Sequence, residues 1–588
     1  MPSPDLVLLH APSVYDFRQQ SILYGPVSDL VPSTPVFEMY PIGFTTIAEY
    51  LERHGRRVRI VNLAVRMLRD ARFDAEELIR RLQPAAFGID LHWLPHAHGA
   101  LAVAERVKRH HPRTPVVLGG FSATYYYQEL LRLPYVDYVV RGDSTEEPMR
   151  QLLECILAGR EPDGVPNVAW RTADGTVRAN PLSYVPDSID HVSLDYGFVV
   201  RSVGTYRDLL SQVPFHNWLD YPITAALSVR GCTQNCVTCG GSAYAFRRVC
   251  GRGQGPAFRS PEKLAADVHG IARFINGPVF ILGDLRQAGE AYARRFLAAV
   301  RGYRGPAIVE LFWPASAGYL RAVTEALPNV VLEVSLESHD PAVRRAFGKG
   351  YDNAAVEATL AQALDAGCQR VDVFFMIGLP GQTYGSVLGT VDYCGQLLEH
   401  FAAGGDRRLY PFISPLAPFV DPGSAAFEEP ERHGYRFFCR TLEDHRRALV
   451  QPSWKYVLSY ETRWLTRDQI VASSYEAGLR LNRLKAQFGL VGAAQAASTE
   501  ARIRSAVALS AEIDSIVALS NPAARRERLA ALKPAVDRAN MSTVCDKREL
   551  ELPVGLVKLN LPRAACYFLG GELRRLVRGM PQVRARRA

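Results

Sequence analysis

The sequence predicts an α/β protein with two successive strand-and-helix units and a mainly helical C-terminal part. Short apolar runs alternate with amphipathic helical patterns over residues 1–155, and the alternation resumes over residues 221–430. Beyond residue 430 the patterns are helical. Such alternation is typical of parallel sheets covered by helices. A chain of 588 residues is too long to fold around a single hydrophobic core. We expect domains at 1–155, 221–430 and 431–588, with a linker at 156–220.

The first unit is predicted to be a doubly wound, Rossmann-like sheet. Five apolar runs predict its buried strands: "DLVLLHAP", "RRVRIVNLA", "AAFGIDLHW", "TPVVLGG" and "VDYVVRGD". A sheet of this kind binds its ligand at the carboxyl ends of its strands. Gly119 and Gly120 end the fourth strand, where the missing Cβ atoms would let a large ligand approach the backbone.

The linker carries one structural pattern, and the second unit carries six. "GVPNVAWRTADGTVRANPL" predicts a small hairpin with Asp-Gly at its turn. From residue 221, six strand-then-helix patterns predict a partial (β/α)6 barrel, whose active site lies at the carboxyl ends of the strands.

Three cysteines follow the first predicted barrel strand, in "GCTQNCVTCGGS". They are Cys232, Cys236 and Cys239, and a tight group of thiols in a reducing compartment indicates metal or redox chemistry. A zinc site completed by Cys250 is one interpretation. It is disfavoured because zinc knuckles pair cysteines across separate hairpins, whereas these three share one loop.

The C-x-x-x-C-x-x-C pattern at this point of such a barrel resembles the radical S-adenosylmethionine (SAM) superfamily, over about residues 220–425. The resemblance implies that three thiolates hold a [4Fe-4S] cluster and that its fourth iron binds SAM. It also implies SAM-binding positions at the ends of later strands: Gly283, Asp284, Ser335, Glu337, Ser338, Ile377 and Gly378, with Arg345 or Lys349 pairing with the SAM carboxylate. Each polar residue among them could instead cap a helix.

The first unit resembles the cobalamin-binding domain that precedes the core in many radical SAM enzymes. The matching segments are "YPIGFTTIAEYLERHG", "LGGFSATYY" and "VDYVVRGDSTEEPMRQLL". The resemblance implies that Gly119, Gly120 and Ser122 lie against the corrin and its nucleotide tail. The loop after the first strand, "HAPSVYDFRQQ", lacks D-x-H-x-x-G, which implies a cobalt without a histidine beneath it. His92 and His10 are the competing candidates.

Together the resemblances imply a cobalamin-dependent radical SAM enzyme that methylates an unactivated carbon. Its chemistry would use a 5′-deoxyadenosyl radical and methylcobalamin, with an electron donor such as flavodoxin or ferredoxin. The enzyme alternative is a rearrangement, cyclisation or oxidation with cobalamin as electron carrier. The non-enzyme alternative is a cofactor-binding sensor with a vestigial core. A small molecule or a lipid is the expected substrate class.

The charge distribution and the absence of targeting patterns bear on partners and location. The net charge is +9, and the tail "LRRLVRGMPQVRARRA" is basic, but no nucleic-acid signature accompanies it. We therefore expect no nucleic-acid partner and leave open peripheral membrane contact by the tail. The N-terminus has no signal-peptide pattern, and no apolar stretch approaches the roughly 20 residues of a membrane span. We expect a cytoplasmic protein.

Overall fold

The computed structural model describes residues 3–253, 255–402, 404–415, 419–540 and 543–569. Its N-terminal unit contains seven strands: β1 Leu6–His10, β2 Val58–Asn62, β3 Ala86–Asp90, β4 Val116–Gly119, β5 Tyr138–Val140, β6 Val168–Arg171 and β7 Val177–Ala179. They form one sheet in the order β2-β1-β3-β4-β5-β6-β7. The first five are parallel, as predicted from their continuous apolar runs.

Helices cover both faces of this sheet. They are α1 Ile42–Arg53, α2 Leu63–Arg69, α3 Ala75–Arg81, α4 Ala97–His110, α5 Phe121–Tyr125, α6 Tyr127–Leu131 and α7 Glu146–Leu157. The hairpin predicted in the linker exists as β6 and β7, and β6 pairs antiparallel with β5 at the edge of the sheet. An isolated hairpin is marginally stable, and joining the sheet buries Val168 and Trp170. Helix α8, Tyr196–Tyr206, follows.

The second unit is the predicted partial barrel. Its strands are β8 Thr224–Leu227, β9 Val229–Arg230, β10 Ala257–Phe258, β11 Val279–Leu282, β12 Ala307–Leu311, β13 Val330–Glu337, β14 Arg370–Ile377 and β15 Leu409–Pro415. Six of them form a parallel sheet in the order β8-β11-β12-β13-β14-β15, while β9 and β10 pair separately. In the described part of the chain β8 and β15 do not pair, so the barrel is open along one side.

The barrel helices are α9 Ala243–Val249, α10 Pro261–Ala272, α11 Glu290–Ala299, α12 Ala317–Ala326, α13 Pro341–Phe347, α14 Asn353–Asp365 and α15 Tyr384–Ala402. The C-terminal part is mainly helical, as predicted. It contains α16 Ala425–Glu428, α17 Pro430–His433, α18 Leu442–Ala448, α19 Trp454–Val457, α20 Arg467–Gln487, α21 Ala493–Val517 and α22 Pro522–Ala539, the strand pair β16 Tyr435–Phe437 and β17 Tyr460–Thr462, and a helix over 561–569. Short 3₁₀ helices occupy Phe17–Gln19, Gly25–Ser28, Leu94–His96, Leu285–Ala288 and Lys547–Glu549.

Residues 543–552 close the amino end of the barrel. Leu552 packs against Ile308 and Val331, which lie near the starts of β12 and β13. The backbone N–H groups of Thr543 and Val544 donate to the Asp29 carboxylate at 2.6 and 2.8 Å, which joins this segment to the N-terminal unit.

None of the helices in the described ranges has the length and apolarity that a bilayer span requires. The basic tail, residues 573–588, lies outside the described residues. Membrane contact by that tail therefore stays a prediction.

Candidate active site

The three-cysteine loop lies at the carboxyl end of the first barrel strand, as predicted. Backbone N–H groups of Gln234 and Gly241 point at the sulfur atoms of Cys232 and Cys239, at 3.3 and 3.2 Å. Burial raises the pKa of all three thiols, that of Cys236 to about 12. Buried thiols become thiolates when a metal ion or cluster supplies the positive charge, so this loop fits a metal cluster.

Cys250 stands apart from that group. It ends α9, and the charged groups that act on its thiol are Asp143 and Arg252. The loop thiols are instead influenced by one another and by Lys349 and Asp421. The placement gives no support to a fourth ligand from Cys250.

Lys349 links the end of β13 to the cysteine loop. Its ammonium group donates to the Ser335 carbonyl at 2.6 Å and to the Glu337 carboxylate at 2.7 Å. At the same place the register of β13 against β14 shifts at a bulge, and Glu337 has a φ of 67°. Glu337 raises the pKa of Lys349 although burial opposes the rise. The structure therefore brings Ser335, Glu337 and Lys349 together beside Cys236.

The next residues along the chain hold the connection between β13 and α14 in place. Ser338 is fully buried, and its hydroxyl accepts from the backbone N–H of Asp340 at 3.2 Å. The buried Arg344 guanidinium, which sequence reasoning missed, donates to the carbonyls of Ser338 and Tyr351. Arg345 is exposed on α13. Of the two predicted cations, Lys349 is the one at the cysteine loop.

Gly283 and Asp284 end β11 and contact the cysteine loop through Gln287. The Gln287 side-chain carbonyl accepts from the backbone N–H of Thr233 at 2.9 Å. The Asp284 carboxylate is occupied by Arg286 and by the backbone N–H of Phe312, at 2.6 and 2.9 Å. Asp284 therefore joins the residues that follow β11 to those that follow β12.

Glu310 was not predicted from the sequence. It lies on β12, accepts from the backbone N–H of Gly283, and acts electrostatically on the Cys232 thiol. Burial raises the pKa of Glu310 to about 7. A second acidic group thus stands beside Asp284, at the strand end where the sequence indicated one.

Glu310 begins a row of three acids across the barrel wall. Strand register pairs it with Glu333 on β13 and pairs Glu333 with Asp372 on β14. Burial and the neighbouring acids raise the pKa of Glu333 to about 8, and burial raises that of Asp372 to about 6 against the effect of Arg370. Glu333 has no hydrogen-bond partner among the described residues, and it lines the cavity within the barrel.

Ile377 and Gly378 end β14, next to the Ser335–Glu337 segment. Ile377 is fully buried. The Tyr435 hydroxyl donates to the Gly378 carbonyl at 2.8 Å, and a Cβ at Gly378 would lie 2.7 Å from the Tyr460 hydroxyl oxygen. The C-terminal strand pair β16–β17 therefore forms the outer wall at this position.

A cavity of about 1090 Å³ begins inside the barrel and continues into the space facing the N-terminal unit. Its wall is mostly apolar and comes from the barrel strands (Phe280, Ile308, Phe374), residues 30–45, residues 194–225 and Leu550. Charged side chains near the C-terminal end of the described chain also line it: Arg502, Arg538, Asp546, Lys547, Arg548 and Glu551. Glu333, Ser335 and His92 also face it. The Ser335 carbonyl binds Lys349, which acts on the Cys236 thiol, so Lys349 connects this wall of the cavity to the cysteine loop.

At the carboxyl ends of strands β1 and β3, three histidines lie around Asp90. His10 Nδ1 and His92 Nδ1 lie 2.9 and 2.7 Å from its carboxylate oxygens, while the His96 ring lies 5.0 Å from that of His10. The imidazoles lower the pKa of Asp90 although burial opposes this. Burial lowers the pKa of His96 to about 3.

The doubled glycine lies directly behind His92. A Cβ at Gly120 would come within 2.3 Å of the His92 Cα atom, whereas one at Gly119 would meet only the Val140 carbonyl oxygen, at 3.6 Å. Ser122 is buried in α5. Neither glycine nor Ser122 lines the cavity, so the close approach seen at Gly120 is that of the His92 backbone.

Asp421 connects the two units at this point. Its carboxylate accepts from the Trp93 indole N–H at 3.1 Å and from the Gly240 backbone N–H at 2.8 Å. Trp93 follows His92, and Gly240 follows Cys239. The histidine group and the cysteine loop are therefore held in a fixed relation beside the cavity.

The comparisons with known proteins agree with this architecture. The B12 binding domain model matches residues 30–152, and the Radical SAM superfamily model matches residues 227–394. Hopanoid C-3 methylase of Methylococcus capsulatus is 26% identical over 272 residues, which are 44% of this chain and 47% of that protein. The chain spans about half the length of the curated relatives that it matches.

Two solved structures share the fold. The radical SAM methyltransferase TsrM from Kitasatospora setae, with cobalamin and a [4Fe-4S] cluster bound, aligns with a TM-score of 0.55 and 16% identity, over 81% of this chain and 91% of that chain. The cobalamin-dependent radical SAM enzyme OxsB, with aqua-cobalamin and SAM bound, aligns with a TM-score of 0.52 and 12% identity, over 98% and 80%. At these identities the likeness concerns the fold.

Proposed function

Because the chain belongs to the cobalamin-binding radical SAM enzymes, we propose that it transfers a methyl group to an unactivated carbon of a largely apolar small molecule or lipid. One observation carries the proposal: a single cavity is lined by His92, at the carboxyl end of the N-terminal sheet, and by Ser335, whose carbonyl binds the Lys349 ammonium group beside the cysteine loop. When bound, the cluster with SAM would supply a substrate radical, and cobalamin would supply the methyl group.

The chain's own residues hold and orient these groups. Cys232, Cys236 and Cys239 would bind three irons of the cluster, and the backbone N–H groups at their sulfurs would stabilise the thiolates. Lys349 places a cation beside two of these thiols, and Glu337 fixes its position. We still predict SAM contacts at Gly283, Asp284, Ser335, Glu337, Ser338, Ile377 and Gly378.

The cavity wall favours an apolar substrate. Aromatic and aliphatic side chains from the barrel and from residues 194–221 form most of its surface, and such a wall excludes water from a reactive site. Glu333 is the acidic side chain that faces it from the barrel strands. A carboxyl group with a raised pKa donates a hydrogen bond near neutral pH, and so Glu333 would recognise a hydroxyl or carbonyl group of the substrate.

The test is anaerobic incubation with SAM carrying a CD₃ group, cobalamin, a reductant and a lipid and metabolite extract from a strain that lacks the protein. We expect 5′-deoxyadenosine, S-adenosylhomocysteine and one extract component that gains a CD₃ group. If 5′-deoxyadenosine forms without S-adenosylhomocysteine, the reaction is a rearrangement, cyclisation or oxidation and not a methylation. If neither 5′-deoxyadenosine nor S-adenosylhomocysteine forms, the result would indicate a cofactor-binding sensor. A flavodoxin or ferredoxin should replace the chemical reductant.

Matched cysteine variants test the cluster assignment. Cys232→Ala, Cys236→Ala or Cys239→Ala should abolish SAM cleavage, because the cluster loses an iron ligand. Cys250→Ala should retain SAM cleavage and the iron content of the wild type. Zinc in place of iron, or an inactive Cys250→Ala variant with intact fold, would contradict the assignment.

A further inference from the structure

His92 lines the cavity, and one of its ring nitrogens is held in place by Asp90. Its Nδ1 lies 2.7 Å from a carboxylate oxygen of Asp90, which is 3% exposed. The His92 ring is half-buried and lines the cavity, and its Nε2 has no hydrogen-bond partner among the described residues. A carboxylate accepts and does not donate, so Nδ1 donates to Asp90 and Nε2 is the nitrogen left for a ligand.

The other two histidines of the group are engaged differently. His10 uses both nitrogens, Nδ1 toward Asp90 and Nε2 toward the Phe37 carbonyl at 3.2 Å. His96 Nε2 lies 2.8 Å from the same carbonyl, and its Nδ1 is buried. Neither His10 nor His96 lines the cavity. Among the three histidines, only His92 both lines the cavity and has a ring nitrogen without a hydrogen-bond partner among the described residues.

The backbone around His92 is fixed by the end of β4. Leu91 donates its N–H to the Gly119 carbonyl at 2.8 Å, and Ala123 donates to the Leu91 carbonyl at 3.0 Å. The missing Cβ of Gly120 is what leaves room for the His92 backbone. The Trp93 indole is anchored on Asp421. Such a support places the imidazole in one orientation before any ligand binds.

We propose that His92 Nε2 is an axial ligand of the cobalt in the bound corrin, with Asp90 as the positioning residue behind it. A histidine that binds a metal through one nitrogen commonly donates its other N–H to a carboxylate, which orients the ring and raises its basicity. Here the pair comes from the end of β3, and the loop after β1 lacks the D-x-H-x-x-G pattern. The inference rests on the cobalamin part of the proposed function and reverses the expectation of a cobalt without histidine.

The test uses the full chain loaded with unlabelled cobalamin and reduced to cobalt(II). Electron paramagnetic resonance is recorded on natural-abundance protein and on protein labelled with ¹⁵N-histidine. A histidine ligand gives a nitrogen triplet that becomes a doublet on labelling. A triplet that persists after labelling would come from the cofactor's own base and would overturn the inference, as would the absence of nitrogen splitting.

Variants assign the ligand. His92→Gln should abolish the labelled doublet, whereas His10→Gln and His96→Gln should retain it. If His92→Gln does not bind cobalamin, retention of the doublet in both control variants excludes His10 and His96 and supports His92, the histidine that lines the cavity; loss of the doublet in either control would overturn the assignment. Cobalamin content is measured separately by absorbance. A wild-type chain that binds no cobalamin would contradict the proposed function itself, while bound cobalamin without a histidine signal would contradict only this inference.

Discussion

The replacement of Gly120 by alanine tests the packing behind His92 directly. Gly120 has φ 113° and ψ 176°, a region that is almost restricted to glycine and costs a side-chain-bearing residue about 1–3 kcal/mol. The new Cβ would also lie 2.3 Å from the His92 Cα atom, and forcing an atom into packed structure costs typically about 1–3 kcal/mol. We expect Gly120→Ala to destabilise this loop by about 2–6 kcal/mol in total.

Hydrogen exchange of the full-length protein, followed by mass spectrometry of peptides spanning residues 86–100, measures that loss locally. A destabilisation of 2 kcal/mol or more raises the opening constant of these amides by at least about twentyfold. Gly119→Ala is the matched control, because its Cβ would meet only the Val140 carbonyl oxygen at 3.6 Å. Equal exchange in the two variants would refute the reasoning and return Gly120 to the role of an ordinary turn residue.

Two further predictions concern the barrel. Lys349→Met should destabilise the protein by about 3–5 kcal/mol, because Glu337 stays buried without its cation. In thermal unfolding, the double variant Lys349→Met/Glu337→Gln should recover part of this loss. A double variant no more stable than Lys349→Met would contradict the pairing. Burial raises the pKa of Glu333 to about 8, so over this range the folded chain keeps a proton that the unfolded chain has lost. The free energy of unfolding therefore falls as pH rises from about 5 through 8. Glu333→Gln should therefore gain stability relative to wild type between pH 5.5 and pH 9 in urea titrations, and a difference independent of pH would show that Glu333 is ionised.

Much of the fold could be predicted from the sequence because its signals are local. Each parallel strand is a continuous apolar run, and the three cysteines lie within eight residues of the chain. The row formed by Glu310, Glu333 and Asp372 could not be predicted, since it depends on the register of three strands separated by tens of residues. The same limit applies to the histidines, which come from two strands that are neighbours only in the folded sheet.

The hairpin β6–β7 was predicted as a structure but not as part of the first sheet. The residue pattern of the hairpin does not indicate which strand pairs with the free edge of β6. That strand is β5, from which β6 is separated in the chain by helix α7. Arg344 was missed for a related reason. Its guanidinium binds backbone carbonyls, and such a role leaves no pattern in the residue types around it.

The cavity wall is assembled from segments that lie outside the two sheets. Residues 194–221 and the segment around Leu550 supply much of its surface, yet neither contains the loop of Cys232, Cys236 and Cys239 or the Asp90–His92 pair. Substitutions in these segments can therefore reshape the cavity while the three-cysteine loop and the histidine group keep their geometry. A change in which molecule enters the cavity would then need substitutions in the wall alone, and the residues predicted to hold the cofactors would stay as they are.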